Sequence, residues 1–498
     1  VNRTHLLLLG MILAFAAAVR TYGLSSLGYW TDELCTLSEA DGHGLGFDAL
    51  PVDQILPPLP VLTRLSDAAP AWTIPGMLAR EDTHPPLYFL MVRAWESMFG
   101  DGEAAVRSLD VCFSLAAIAL LFFAARPDVG PSVALWACLV MAVASPQVQF
   151  AQEARNYMPV VTFSLAALIA LRGLTDRPTI PRAAALAACL LAMMLTHYYA
   201  ATVAVALAVH VGLTLRGRPL AHATAAASTA AVAFLLLWGP SILSQLPVFR
   251  SGDMAWLTDA APGHRGRALL ALCRLPVRWI ADVSAPATVV GGVMFLLLPW
   301  AFVRRAELRL WVIWLAVPTT FIAVGDLLHA TTQLTLLRYT LFATPAAYVM
   351  IAAAVPRGRF RFVPPMVAVL AGIVALPAAY VPPWKIDFRS PAQTVARRLA
   401  PDDGLIVTGP DPVLDSITFA AFQHYLPRMP DAAVILTKPA DAATLDRLRR
   451  CPQLWVLSMW SGRPISSLLP GFRTTESGQL PAFGEIALGR IITPASPR

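Results

Sequence analysis

Apolar runs of roughly 14–22 residues recur along the first 380 positions of the chain, many of them separated by short gaps that carry Arg or Gly and Pro. The longer of these runs have the length needed to cross a hydrocarbon core of about 30 Å as helices, and several are short for a full crossing. They predict crossings at 6–22, 106–124, 131–147, 157–172, 183–196, 198–215, 222–243, 285–303, 308–325, 340–355 and 362–380, roughly eleven in all. Beyond Pro382-Pro383 the pattern changes. Short apolar runs typical of buried strands (LIVTG, AAVIL, LWVLSMW) alternate with amphipathic helical stretches such as AQTVARRLA and AATLDRLRR. The pattern therefore predicts an α-helical polytopic membrane domain over 1–383 and a small soluble α/β domain over 384–498.

The basic residues orient this scheme. Arg126, then Arg172 with Arg177 and Arg182, Arg216 with Arg218, Arg304 with Arg305, and Arg357 with Arg359 and Arg361 all lie in the gaps between apolar runs. An excess of Arg and Lys marks cytoplasmic loops, so the N-terminus is expected inside, and the C-terminal domain outside. Three outward stretches follow: an outer loop of about 23–105, a second at 244–284 with Trp256, Arg274, Arg278 and Trp279, and a third at 326–339. Residues 85–99 (PPLYFLMVRAWESMF) are apolar, yet a crossing there inverts every later loop. They are read as a helix lying at the outer surface, with Tyr88, Arg93 and Trp95 at headgroup level. The first run has no small-residue cleavage motif and is expected to be a retained helix.

Composition strengthens the membrane assignment. Hydrophobic residues make up 57% of the 498 and charged residues 14%, with a mean hydropathy of +0.60. Soluble domains carry about a quarter charged residues. The net charge of +7 comes from the basic loops and implies no nucleic-acid partner. Six cysteines without paired spacing give neither a disulfide framework nor a metal site.

Five polar motifs interrupt the apolar background. Gly28-Tyr29-Trp30-Thr31-Asp32-Glu33 follows the first helix, and its adjacent carboxylates suit a general base with a tuning neighbour, or an ordinary solvated loop. Arg80-Glu81-Asp82-Thr83-His84-Pro85-Pro86-Leu87-Tyr88 holds His84 and an acidic pair at a helix entry, or is simply a rigid turn. In Gln152-Glu153-Ala154-Arg155-Asn156-Tyr157, the Arg and Tyr are able to hold a phosphate or to anchor a helix end at the interface. Thr196-His197-Tyr198-Tyr199 sits at a hairpin tip, and Arg338-Tyr339 closes the third outer stretch. On the expected topology all five share one membrane face. Acidic and basic groups beside an apolar slot fit a substrate with a greasy tail, a phosphate and a polar head, such as a polyprenyl-phosphate sugar.

The order of these motifs resembles the GT-C glycosyltransferases. W-x-D-E after the first helix, H-P-P-L-Y with a later Arg107, Q-E-A-R-x-Y, T-H-Y, and R-Y-x-x-x-x-x-P from Arg338 to Pro345 are similar to bacterial members of glycosyltransferase family 39. That family is related to protein O-mannosyltransferases and lipid A aminoarabinose transferases, and the likeness spans about residues 5–350. It implies Asp32 as catalytic base with Glu33 beside it. It implies a donor phosphate and sugar lined by Arg155, Tyr157, Arg338 and Tyr339, with His84 where aminoarabinose transferases have Lys. Glu81, Asp82 and His197 are further candidates for acceptor or metal contacts. The implied reaction is inverting transfer from a polyprenyl-phosphate sugar to a cell-envelope glycan, lipid or protein at the outer face of a bacterial cytoplasmic membrane. No cofactor is required, although Glu81 or Asp82 could hold a divalent metal. A flippase or transporter using the same slot without chemistry is the alternative.

Overall fold

The computed structural model describes residues 2–250, 257–258, 261–282, 298–355, 358–382, 385–409, 411–459, 465–480 and 484–491. The chain divides into two compact units. One comprises Val1–Leu24, Leu78–Met91 and Ala104–Val381, and the other Ser25–Met77, Val92–Glu103 and Pro382–Arg498.

The first unit is helical. Six helices are long and apolar enough to span a membrane: Arg3–Thr21, Glu103–Val129, Tyr157–Asp176, Gly217–Pro247, Ala306–His329 and Val363–Tyr380. A seventh span is reached if Pro131–Val143 and Ser145–Ala151, bent by 60°, count as one. The apolar helices Ile180–Met194, Ala200–Thr214 and Leu341–Ala352 are shorter. A helix of 15 residues rises only about 22 Å, less than the core it has to cross. The expected eleven crossings are thus not reached among the described residues, and the one at 285–303 lies largely outside them, as does Trp256. The segment read as a surface helix forms the 13-residue helix Leu87–Phe99, which is also too short for a full crossing.

Polar side chains seal the breaks in this unit. Ser145-Pro146 opens a new helix and leaves Ala144 extended (φ −57°, ψ 120°), so the carbonyls ending Pro131–Val143 lack helical partners. Buried Arg20 fills that need, donating to the carbonyls of Ala142 (2.8 Å) and Met141 (3.1 Å) and to Ser114 Oγ (2.8 Å). Gln152 returns the favour at the end of Arg3–Thr21, donating to the carbonyls of Arg20 (2.9 Å) and Tyr22 (2.7 Å). Elsewhere the core is made of Ala, Leu, Val and Phe, with Gly372 laid directly against the backbone of Val143. Small residues let membrane helices approach this closely.

The second unit is built on a five-stranded sheet: β1 (Gly404–Thr408), β2 (Ala432–Ile435), β3 (Leu454–Ser458), β4 (Phe472–Leu480) and β5 (Gly484–Ile491), in the order β2-β1-β3-β5-β4. β1, β2 and β3 are parallel and are connected through the helices Pro412–Tyr425 and Ala442–Arg449, whereas β5 runs antiparallel to β3 and β4. The parallel strands are buried throughout, as continuous apolar runs require. Residues 25–77 and 92–103, expected with the membrane domain, belong to this unit instead. Long-range hydrogen bonds explain why. Asp53 N and Leu56 N donate to the carbonyls of Ile435 and Ala433, so this stretch covers the free edge of β2. The Asp53 carboxylate accepts from the Thr437 backbone and hydroxyl, at 2.8 Å each. Gln423 Nε2 donates to the Leu59 carbonyl (2.8 Å), and Tyr425 accepts from Tyr29 N (2.6 Å) while donating to Glu103 (3.0 Å).

Candidate active site

The first unit gathers one polar cluster around His197. Helix Ile74–Glu81 ends before a tight turn that the following Pro85-Pro86 cannot continue as helix. Within that turn the Asp82 carboxylate accepts from His84 N (3.2 Å) and pairs with His84 Nδ1 at 2.9 Å, which fixes the imidazole and leaves its Nε2 edge outside the pair. The His84 ring meets His197 edge-on at 5.5 Å between centroids. Tyr157, first residue of helix Tyr157–Asp176, lies 6.1 Å from His197, and Tyr199 lies 5.4 Å from it. Asn156 Nδ2 donates to the Thr196 carbonyl (3.1 Å) and so ties the Arg155-bearing turn to the His197 turn.

The Arg338 end is organised by a buried acid. Asp326 accepts from Thr331 Oγ1 and from the backbone of Gln333 (3.0 Å) and Leu334 (2.8 Å), shaping the turn that leads to Arg338. Tyr199 donates to Gln333 Oε1, Tyr339 packs 5.3 Å from Tyr199, and the Arg338 guanidinium lies 5.3 Å from the Tyr339 ring centre.

Electrostatics mark this cluster as cationic. Burial, together with the neighbouring His84, Arg155 and Arg338, drives the His197 pKa well below its ordinary value, so that its ring is neutral at physiological pH. Burial opposes ionisation of Asp82, but His84, the local backbone donors and Arg155 outweigh it and hold its pKa at about 2. Two arginines, an ion-paired histidine and three tyrosine rings give donors for a phosphate and flat surfaces for a sugar.

Of the residues singled out from sequence, His84, Arg155, Tyr157, His197, Arg338, Tyr339 and Asp82 meet in this unit, through direct contact or through the fields described. Glu81 is exposed on the last turn of its helix. Asp32 and Glu33 belong to the second unit, in the first turn of helix Thr31–Ala40, where the helix dipole favours carboxylates. Glu33 is fully buried and accepts from Trp30 N (3.4 Å); Asp32 is half-buried, its carbonyl accepting from Thr36 Oγ1. Among the described residues, no three His, Cys, Asp or Glu side chains converge as metal ligands. Sequence reasoning quoted Gln152 and Asn156 only as members of the third motif, without a role, and passed over Gln245 and Asp326; all four hold the backbone of turns or helix ends in this unit.

Residues 83–242 match the family profile described as dolichyl-phosphate-mannose-protein mannosyltransferase. No curated protein sequence matches the chain. Among solved structures, it is similar to ArnT from Cupriavidus metallidurans in the apo state, at 14% identity and a TM-score of 0.48, with 96% of this chain and 97% of that one covered. It is also similar to the Archaeoglobus fulgidus oligosaccharyltransferase (13% identity, TM-score 0.47, 86% and 64% covered). A third similarity is to the S. cerevisiae protein O-mannosyltransferase complex bound to its sugar donor (15%, 0.33, 53% and 36%). The profile match over residues 83–242 agrees with the resemblance to protein O-mannosyltransferases read from the motif order.

Proposed function

We propose that the protein moves a sugar from a polyprenyl phosphate to an acceptor hydroxyl at the extracytoplasmic face of a bacterial cytoplasmic membrane. The observation that carries this reading is the cationic and aromatic cluster of His84, Arg155, Tyr157, His197, Arg338 and Tyr339. In the proposed step the acceptor oxygen attacks the anomeric carbon as the bond from that carbon to the phosphate oxygen breaks, and the configuration inverts. The leaving phosphate takes the bonding electrons, and Arg155, Arg338 and His84 stabilise its growing charge. Asp32 accepts the proton of the attacking hydroxyl, with Glu33 tuning it. Tyr157 and Tyr339 present ring faces to the sugar. No metal enters this step, and the acceptor is a glycan, lipid or protein of the cell envelope.

The test is sugar transfer by the purified protein from a panel of radiolabelled polyprenyl-phosphate sugars, with membrane extract as acceptor. Label is expected to leave the lipid with wild type and to stay with Asp32→Asn at unchanged thermal stability. Tight donor binding without transfer, indifferent to Asp32→Asn, overturns the reading in favour of a flippase.

A further inference from the structure

The outer end of helix Gly217–Pro247 carries a buried glutamine with no place in an apolar span. Gln245 is fully buried, and its side chain is bonded at both ends. Its Nε2 donates to the carbonyl of Leu78 at 3.0 Å and reaches that of His84 at 3.5 Å. Its Oε1 accepts from the Tyr198 hydroxyl, which in turn accepts from Trp238 Nε1 at 2.8 Å. The two carbonyls accept only, and Tyr198 is already an acceptor for Trp238, so only one orientation of the amide satisfies all these partners.

The geometry points to Gln245 as the positioning residue of the His84 turn. Leu78 lies in the last turn of helix Ile74–Glu81, where its carbonyl accepts from Asp82 N (3.2 Å) as well as from Gln245, and His84 closes the turn that follows. One amide group therefore grips both ends of the segment that carries Asp82 and His84. Through Tyr198, the neighbour of His197, the same side chain is tied to the opposite wall of the cluster. Trp238 and Gln245 are seven residues apart, about two turns on one helix face, so one continuous helix carries both ends of the chain of hydrogen bonds. The Asp82–His84 pair is thus aimed from outside the turn, by a residue whose bonds to it go to backbone carbonyls and not to either side chain. Its consequence for turnover rests on the transfer reading above, while the strap itself does not.

The test uses full-length protein in lipid nanodiscs, with Gln245→Met, which keeps the volume but has no donor, and Tyr198→Phe, which frees the amide to turn. Hydrogen exchange read by mass spectrometry over residues 79–84 is expected to quicken by roughly tenfold in Gln245→Met and less in Tyr198→Phe, with the melting temperature held. In the transfer assay the KM for the polyprenyl-phosphate sugar is expected to rise by roughly tenfold, the effect of losing one buried hydrogen-bonded tie, with the acceptor KM unmoved. The same substitution made on His84→Ala should leave the donor KM where His84→Ala alone puts it. Unchanged exchange over 79–84 in both variants overturns the strap. A kcat loss shared by both KM-neutral variants, with a fallen melting temperature, also overturns it, because plain destabilisation behaves so. Wild type without turnover on any donor sinks the transferase reading instead, and the exchange result still decides the strap.

Discussion

Replacing Glu96 by Gln should stabilise the second unit, increasingly so as the pH rises. Glu96 lies on helix Leu87–Phe99 with 1% of its surface exposed, and among the described residues neither carboxylate oxygen has a hydrogen-bond partner. Burial, reinforced by the nearby Asp41 and Asp101, pushes its pKa up to about 9 against the pull of Arg93. Arg93 is already engaged, donating to Asp41 Oδ1 (2.7 Å) and to the Ala69 carbonyl (3.2 Å). Asp41 is itself raised to about 7, by burial first and then by Asp101 and Asp67, with Arg93 opposing. A carboxyl whose folded pKa lies above its unfolded value of 4.5 gives its full stability below that value and loses it as the pH climbs towards 9. The loss runs at about 1.4 kcal/mol per pH unit, so about 4 kcal/mol separates pH 5 from pH 8 for this group alone. For a unit of this size that corresponds to a fall of roughly 10 °C in melting temperature. Thermal unfolding followed by circular dichroism at a series of pH values should show a shallow slope for Glu96→Gln and a steep one for wild type, with the curves meeting near pH 5. Parallel slopes, or a variant less stable than wild type at pH 8, would refute the neutral buried carboxyl.

Two further outcomes follow from close contacts in the first unit. Asp82→Asn removes the partner of His84; because the folded pKa of Asp82 is depressed to about 2, the lost contribution is ~2 kcal/mol at neutral pH, present above the unfolded value of 3.8 and vanishing as the pH falls through 2. Denaturant melts of wild type and variant should therefore converge in acid. Gly372→Ala places a Cβ 2.8 Å from the Val143 carbonyl oxygen, forcing apart the helices Val363–Tyr380 and Pro131–Val143 at about 1–3 kcal/mol, read as a lowered melting temperature in detergent.

Much of the helical unit was legible because a bilayer imposes a strong and simple demand on sequence. Runs such as 106–124 and 157–172 sit inside the observed helices Glu103–Val129 and Tyr157–Asp176. The predicted run 131–147 failed at Ala144, where hydropathy is blind to a break that Ser145-Pro146 and Arg20 make together. The motifs around His84, Arg155 and Arg338 were visible as charge in an apolar setting, which is costly enough to signal function. Gln245 was not, because one amide in a long apolar helix looks like noise until its backbone partners Leu78 and His84, 167 and 161 residues away along the chain, are known. The grouping of residues 25–77 with the C-terminal sheet was hidden for the same reason. Nothing local in Asp53 or Leu56 announces that they border a strand some 380 residues later.

That border has a consequence for how the protein is made. At roughly 5–20 residues per second, between about 20 and 75 s separate the synthesis of Leu56 from that of Ala433, whose carbonyl it must find. The second unit therefore has no co-translational folding order of its own: its first piece leaves the ribosome before most of the apolar helices and waits until the last piece has been delivered. A chain stopped before residue 432 leaves that early segment without its strand, and a fragment beginning at 384 leaves β2 with an open edge, ready to pair with another copy.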